Sequence, residues 1–235
     1  MNSKKFLATL ILLLVLTPLA AQHHSSRMRV SILGDSYSTY EGYIPTGNAI
    51  WYWAKTDTAN TDVSSVRQTW WWQLISRGGF LLEKNESFSG ATISYRGYRG
   101  EDYTDRSFIT RLPRLGSPDI LFIFGGTNDS WAGVPVGEPQ SSDLFTYSPA
   151  LDRLLADAKD RYPNVQIYFL LNDGLREDIT RATLTLCMAH QIPCIQLHDI
   201  HKKSGHPSVA GMQSIAEQVL SFISSPTVGS SPSEK

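Results

Sequence analysis

The sequence predicts a three-layer α/β/α domain built on a five-stranded parallel sheet. Three observations predict it. Short strand-type runs alternate with helix-type runs along the chain, which argues for parallel strands joined by helical crossovers. The run DILFIF at 119–124 is apolar almost without a break, as a strand buried on both faces requires. Polar, glycine-rich motifs directly follow two of the strands, where such sheets carry their sites.

The elements follow in order. Residues 1–22 read as a secretory signal: Lys4 and Lys5 supply the positive start, 6–16 the apolar stretch, and Leu19-Ala20-Ala21-Gln22 the small residues for cleavage after Pro18. The apolar stretch is too short to span a bilayer comfortably. The expectation is a secreted or periplasmic protein with no membrane attachment after cleavage. The first strand, 28–33, ends at Gly34. Residues 37–68 show no periodicity, and a loop that long is uncommon unless it is functional. A helix over 69–77 stops at Gly78-Gly79. The second strand, 80–87, is partly exposed, because Glu83, Lys84 and Glu86 interrupt it. A short helix over 107–115 is weakened by Pro113, and the third strand is 119–124.

Leu144, Leu151, Leu154, Leu155 and Ala158 recur at helical spacing and set a helix over 143–162, which Pro163 stops. The fourth strand is 165–171, a further helix 177–190, and the fifth strand 194–197. The last helix, 208–223, is capped by Ser208 and buries Val209, Met212, Ile215, Ala216 and Val219. The tail 224–235 is rich in Ser and Pro, the composition of a disordered end. One domain, 28–223, accounts for the rest; no internal repeat is visible.

Charge is balanced, with 21 basic and 22 acidic side chains. That gives no electrostatic case for nucleic acid or an anionic membrane as partner. Nothing in the sequence sets the oligomeric state. Cys187 and Cys194 would share an oxidising compartment after export. Their spacing leaves both a bridge and two free thiols open.

Three loops carry chemistry. Gly34-Asp35-Ser36-Tyr37-Ser38 follows the first strand, Gly125-Gly126-Thr127-Asn128-Asp129 follows the third, and His206-Pro207 precedes the last helix. In a parallel sheet the strand ends point one way, so these loops can converge. A serine hydroxyl needs a base to become a nucleophile, and histidine is one at neutral pH. The tetrahedral oxyanion then needs preorganised donors such as backbone N–H groups and an Asn amide. Taken singly, each motif has a plainer reading: Ser36 or Asn128-Asp129 as turn and cap residues, His206 as a loop histidine.

Together the motifs resemble the SGNH, or GDSL-like, hydrolases over nearly all of the chain after the signal. The resemblance implies a flavodoxin-like strand order and a serine esterase. It makes Ser36 the nucleophile and His206 the base, with Ser36, Gly90 (in Asn85-Glu86-Ser87-Phe88-Ser89-Gly90) and Asn128 as oxyanion donors. The family places an Asp three residues before the histidine; here that position is Lys203. Asp199 is the nearest substitute by sequence, and a backbone carbonyl is the other candidate to orient the imidazole. Asp35, Tyr37, Trp51, Trp53 and Trp131 are expected to bind substrate, the tryptophans as a platform for a sugar ring or aryl ester, against plain packing under the long loop. Of Trp70, Trp71 and Trp72, at least one should face a loop or the site, since helical neighbours lie about 100° apart. His198, His201 and His206 are spaced too irregularly for a metal site, and no cofactor is implied. The expected partner is a small-molecule or polysaccharide ester, acetyl esters above all. Lipase or thioesterase activity, acyl transfer to a sugar hydroxyl, and a non-catalytic carbohydrate-binding relative are the alternatives.

Overall fold

The computed structural model describes residues 27–55 and 58–225. The expected signal segment and nearly all of the expected tail lie outside the described residues. The expected sheet is present: five parallel strands, β1 (Arg29–Gly34), β2 (Leu81–Ser87), β3 (Ile120–Phe124), β4 (Gln166–Leu171) and β5 (Cys194–Gln196), in the order β2-β1-β3-β4-β5. The chain steps from β1 to β2 on one side and returns to place β3 on the other side of β1. Connections leaving β1 and β3 therefore diverge, and a crevice opens beyond their carboxyl ends.

Both faces of the sheet are covered. Alternation along each strand sends Val30, Ile32, Phe122 and Phe124 to one face, under α1 (Trp70–Gly78) and α6 (Val209–Ser224). Leu33, Leu121, Ile123 and Phe169 go to the other, under α2 (Phe108–Arg111), α4 (Tyr147–Arg161) and α5 (Glu177–Ala189). Full burial of each such side chain contributes roughly 1.5–3 kcal/mol, so β3, with every residue buried, anchors the domain. Among the described residues no helix is long and apolar enough to cross a membrane.

The triple tryptophan divides as helical geometry requires. Trp70 packs edge-on to Phe122 and Phe124 of the sheet. Trp71 and Trp72 meet Tyr43 of the long loop. That loop is tied down by backbone as well: Glu41 N–H donates to Tyr52 O at 3.0 Å and Ser89 N–H to Ala49 O at 2.9 Å.

Three local features differ from expectation. The helix expected from 143 starts at Tyr147, because Asp143 builds a turn instead: its carboxylate accepts from Phe145 N–H at 3.0 Å and its carbonyl from the Thr146 hydroxyl at 2.8 Å. A five-residue helix, α3 (Thr127–Trp131), follows β3 directly. A short antiparallel hairpin, β6 (Lys202–Lys203) and β7 (His206–Pro207), precedes α6. Cys187 and Cys194 are free thiols; a hydrogen bond with Cys194, with burial second, pushes the Cys187 thiol up.

Candidate active site

The nucleophile turn is built on a residue that must be glycine. A Cβ on Gly34 would stand 2.6 Å from Ser87 Oγ and 2.7 Å from Ser38 Oγ. Asp35 then caps the 3-10 turn Ser36–Ser38, its carboxylate accepting from Tyr37 N–H at 3.0 Å. Beneath it Arg111, fully buried, donates to the Gly34 carbonyl at 3.1 Å and to the Glu86 carbonyl. Burial pushes the Asp35 carboxyl up to about 7, against the pull of Tyr37 N–H and Arg111. The same burial pushes Arg111 down to about 9, with Glu86 and Asp35 opposing it. Asp35 is thus wholly internal and Tyr37 likewise, its hydroxyl donating to Gly205 O at 2.6 Å. Neither side chain is exposed where a substrate contact was expected; both hold the turn.

Ser36 and His206 are brought together. Ser36 Oγ lies 3.0 Å from His206 Nε2, within reach for proton transfer. The other ring nitrogen, Nδ1, lies 3.1 Å from the carbonyl oxygen of Ser204. This follows from the hairpin. Ser204 and Gly205 link β6 to β7 with φ of 48° and 78°, and two left-handed residues in succession are what a tight two-residue hairpin turn needs. The turn folds the Ser204 carbonyl back under the imidazole. An Nδ1–H donated to it leaves Nε2 as the acceptor for the Ser36 proton.

Asp199, the expected orienting acid, is not brought to His206. It follows β5 outside the hairpin, is 95% exposed at its side chain, and accepts from His198 Nδ1 at 3.0 Å. Lys203, at the position where the family has Asp, turns its ammonium to the Thr58 carbonyl. Burial pushes His206 down to about 4, and the Ser204 carbonyl partly offsets this. The imidazole is therefore neutral at physiological pH.

Aromatic rings enclose His206. Trp51 lies flat on it, ring centroids 3.6 Å apart and planes 10° from parallel. Trp131 stands edge-on at 6.0 Å and is 45% exposed. Tyr37 lies at 5.4 Å and Tyr52 at 6.5 Å. One face of Trp51 is thus taken by the histidine. Trp53 donates its indole N–H to Lys55 O at 2.6 Å and has no ring contact with this group among the described residues. Of the expected tryptophan platform, the structure leaves Trp131 open beside the base.

Asn128 is buried at the start of α3, and its amide is fixed on both sides. Its Nδ2 donates to Ala91 O at 2.9 Å, and its Oδ1 accepts from the Tyr98 hydroxyl at 2.8 Å. A carbonyl can only accept, so the amide orientation is set and one Nδ2 hydrogen remains. Asp129 holds the neighbouring chain, accepting from Ile93 N–H at 2.8 Å and Ser94 N–H at 3.0 Å. Burial pushes it up to about 6, opposed by those two N–H groups. Gly90 precedes Ala91 with φ of 83°, a conformation that favours glycine. Neither Gly90 N–H nor Ser36 N–H meets a backbone acceptor among the described residues.

Sequence reasoning reads Tyr98, with Tyr95, Arg96 and Arg99 near Gly90, as a partner for a polar substrate or a surface residue, and misses that Tyr98 and Arg111 support the site from within. Tyr98 sits in a loop closed by Gly97 N–H to Glu101 O at 2.8 Å and Tyr103 N–H to Tyr95 O at 2.7 Å. Left-handed Arg99, φ 56°, makes the bend. The cluster's place near Gly90 in sequence points toward the site, but no spacing links Tyr98 to Asn128 thirty residues on. Arg111 is one of two arginines in a short segment that also holds Phe108, Ile109, Leu112 and Leu115, and nothing in the sequence says which of the two is buried.

Fold and geometry define an α/β protein with a serine–histidine pair and amide donors at the topological switch point of its sheet. The chain belongs to the GDSL-like lipase/acylhydrolase family, whose pattern matches residues 28–223; this is a family of ester hydrolases. A structure described as a GDSL-like lipase from Bacteroides ovatus is 53% identical, covers 84% of this chain and 98% of its own, and superposes with a TM-score of 0.82. Another so described, from Bacteroides uniformis, is 47% identical over 84% of this chain and 96% of its own, with a TM-score of 0.82. A family two carbohydrate esterase from Clostridium thermocellum, in complex with cellohexaose, is 16% identical over 83% of this chain and 63% of its own. Its TM-score is 0.57, and at that identity the likeness is one of fold. No match is found among curated protein sequences.

Proposed function

We propose that the protein is an exported serine esterase that hydrolyses carboxylic esters through an acyl-enzyme on Ser36, with acetyl esters of carbohydrates as substrates. The observation that carries this reading is the 3.0 Å contact between Ser36 Oγ and His206 Nε2. Nε2 takes the hydroxyl proton as Oγ bonds to the ester carbon, and the carbonyl electron pair moves to oxygen. Ser36 N–H, Gly90 N–H and the remaining Asn128 Nδ2 hydrogen are the donors for that oxyanion. As the C–O bond to the alcohol breaks, the proton on His206 passes to the leaving oxygen. Water then repeats the sequence on the acyl-enzyme.

The carbohydrate preference rests on Trp131, an exposed indole beside the base, whose face suits a sugar ring. Export rests on the signal pattern of residues 1–22. The test compares acetate release from acetylated xylan or pectin with cleavage of long-chain esters, wild type against Ser36→Ala. Acetate release that Ser36→Ala abolishes is expected. Preference for long acyl chains would replace the carbohydrate reading by a lipase one. Turnover that survives Ser36→Ala would overturn the mechanism.

A further inference from the structure

The base in this site has no carboxylate behind it, yet it is held on four sides. Ser36 Oγ is at Nε2 and the Ser204 carbonyl at Nδ1. Trp131 approaches by an edge, and Trp51 covers a face at 3.6 Å. The Trp51 contact differs from the others because it is wired back to the nucleophile. Trp51 N–H donates to Thr39 Oγ1 at 2.9 Å, and that hydroxyl donates to the Ser36 carbonyl at 3.0 Å. Ser36, Thr39, Trp51 and His206 therefore form a closed ring of contacts. The indole N–H is buried with no hydrogen-bond partner among the described residues, so backbone, ring face and packing against the core locate the side chain.

We propose that Trp51 is a positioning residue standing where the orienting acid is absent. Its indole face holds the neutral imidazole in line with Ser36 and stabilises the imidazolium that forms once the Ser36 proton has moved to Nε2. The physical basis is the negative quadrupole of the indole face, which attracts a cation lying over it. The attraction grows where water is excluded, and it acts on the protonated histidine far more than on the neutral one. It thus favours the state that develops in the transition state, which is what lowers a barrier. An acid at Nδ1 would do the same in the ring plane; Trp51 does it from the face.

Other groups around the ring leave this role open. Asp35 and Tyr37 lie on the nucleophile turn, Tyr52 on the long loop, Lys203 across the hairpin, and Asp62 beside α6, where it accepts from Val209 N–H at 2.9 Å. Lys203 is engaged with the Thr58 carbonyl. Burial and the Ser204 carbonyl are the causes of the histidine's shift, with no ion among them.

This inference rests on His206 being the base, and the experiment separates the two. Trp51 is replaced site-specifically by mono-, di- and trifluorinated tryptophans, which drain the ring face while keeping its shape. Two quantities are read: kcat on an acetyl ester, and the His206 pKa by NMR titration in the Ser36→Ala background. The expected result is a stepwise fall in both, reaching roughly tenfold in kcat for the most fluorinated ring. Trp51→Leu, apolar without a π face, should fall at least as far, and Trp51→Phe less. Flat kcat and a constant His206 pKa across the fluorinated series would reduce Trp51 to packing and overturn the proposal. If the wild type shows no ester turnover, the esterase reading fails by itself, and the titration still decides whether Trp51 stabilises the imidazolium.

Discussion

The two halves of the site are held by different physics. On the proposed oxyanion side, Asn128 and its neighbour Asp129 are fastened by hydrogen bonds to the surrounding protein. Asn128 is pinned by Ala91 and Tyr98, and Asp129 bonds the Ile93 and Ser94 amides. On the base side the histidine sits on a two-residue strand after a tight turn, with a carbonyl at Nδ1 and an indole on its face. The contrast shows what each half must do. In the proposed mechanism the oxyanion donors meet charge that appears at one fixed point, and rigid dipoles serve that best. The base must change its own charge during the reaction. A neutral carbonyl and a π face accommodate both states, and they spare the histidine a carboxylate partner of its own, which would be costly to desolvate.

The largest effect should come from the rigid half. Asn128→Ala removes a side-chain donor, and kcat should fall about 10²–10³-fold with KM little changed. Steady-state kinetics check this, and a loss confined to KM would move Asn128 from the oxyanion to substrate binding. The pH profile probes the other half. Burial takes His206 down to about 4, so its neutral, proton-accepting form persists as pH falls through 6 and 5. The limb of kcat/KM that belongs to His206 should therefore lie near pH 4, below the range in which the buried Asp35 and Asp129 carboxyls, raised to about 7 and about 6, take up their protons. A histidine with an ordinary pKa of about 6.5 would already have lost roughly thirtyfold at pH 5, and an NMR titration that found His206 itself changing charge there would mean the ring is solvated.

Tyr98→Phe deletes the donor to Asn128 Oδ1 but leaves Nδ2 bonded to Ala91. A loosened amide should lower kcat by roughly tenfold, in line with the loss of one buried hydrogen bond. An equal loss on every substrate would mark positioning; a loss on glycan esters alone would mark a substrate contact. The smallest effect belongs to Asp199→Ala. With that carboxylate exposed and paired, among the described residues, to His198 alone, kcat should stay within about twofold. A large loss would show that the carboxylate reaches His206 during turnover.

Much of this was legible in the sequence because it depends on short-range pattern. The unbroken apolar run of β3, the glycines after β1 and β3, and Ser208 as a cap all encode local geometry, and the sheet order then brings Ser36, Asn128 and His206 to one edge. What stayed hidden depends on distance. Lys203 announces that the acid is missing, but only the positive φ of Ser204 and Gly205 explains how a carbonyl takes its place. Trp51 reads equally as a sugar platform or as packing until its ring is found on the imidazole. Asp35 and Tyr37 adjoin the nucleophile in sequence, and adjacency suggests substrate contact. The tight turn at Gly34 instead directs them inward. Tyr98 reaches Asn128 across thirty residues, with no periodicity to betray it.

The most direct test of the central claim, that Ser36 is activated by His206 without a carboxylate, is peptide-mapped labelling of the folded protein by a fluorophosphonate. Stoichiometric adduct on Ser36, lost in His206→Ala and kept in Asp199→Ala, is the expected result. A folded wild type that carries no adduct on Ser36 would contradict it.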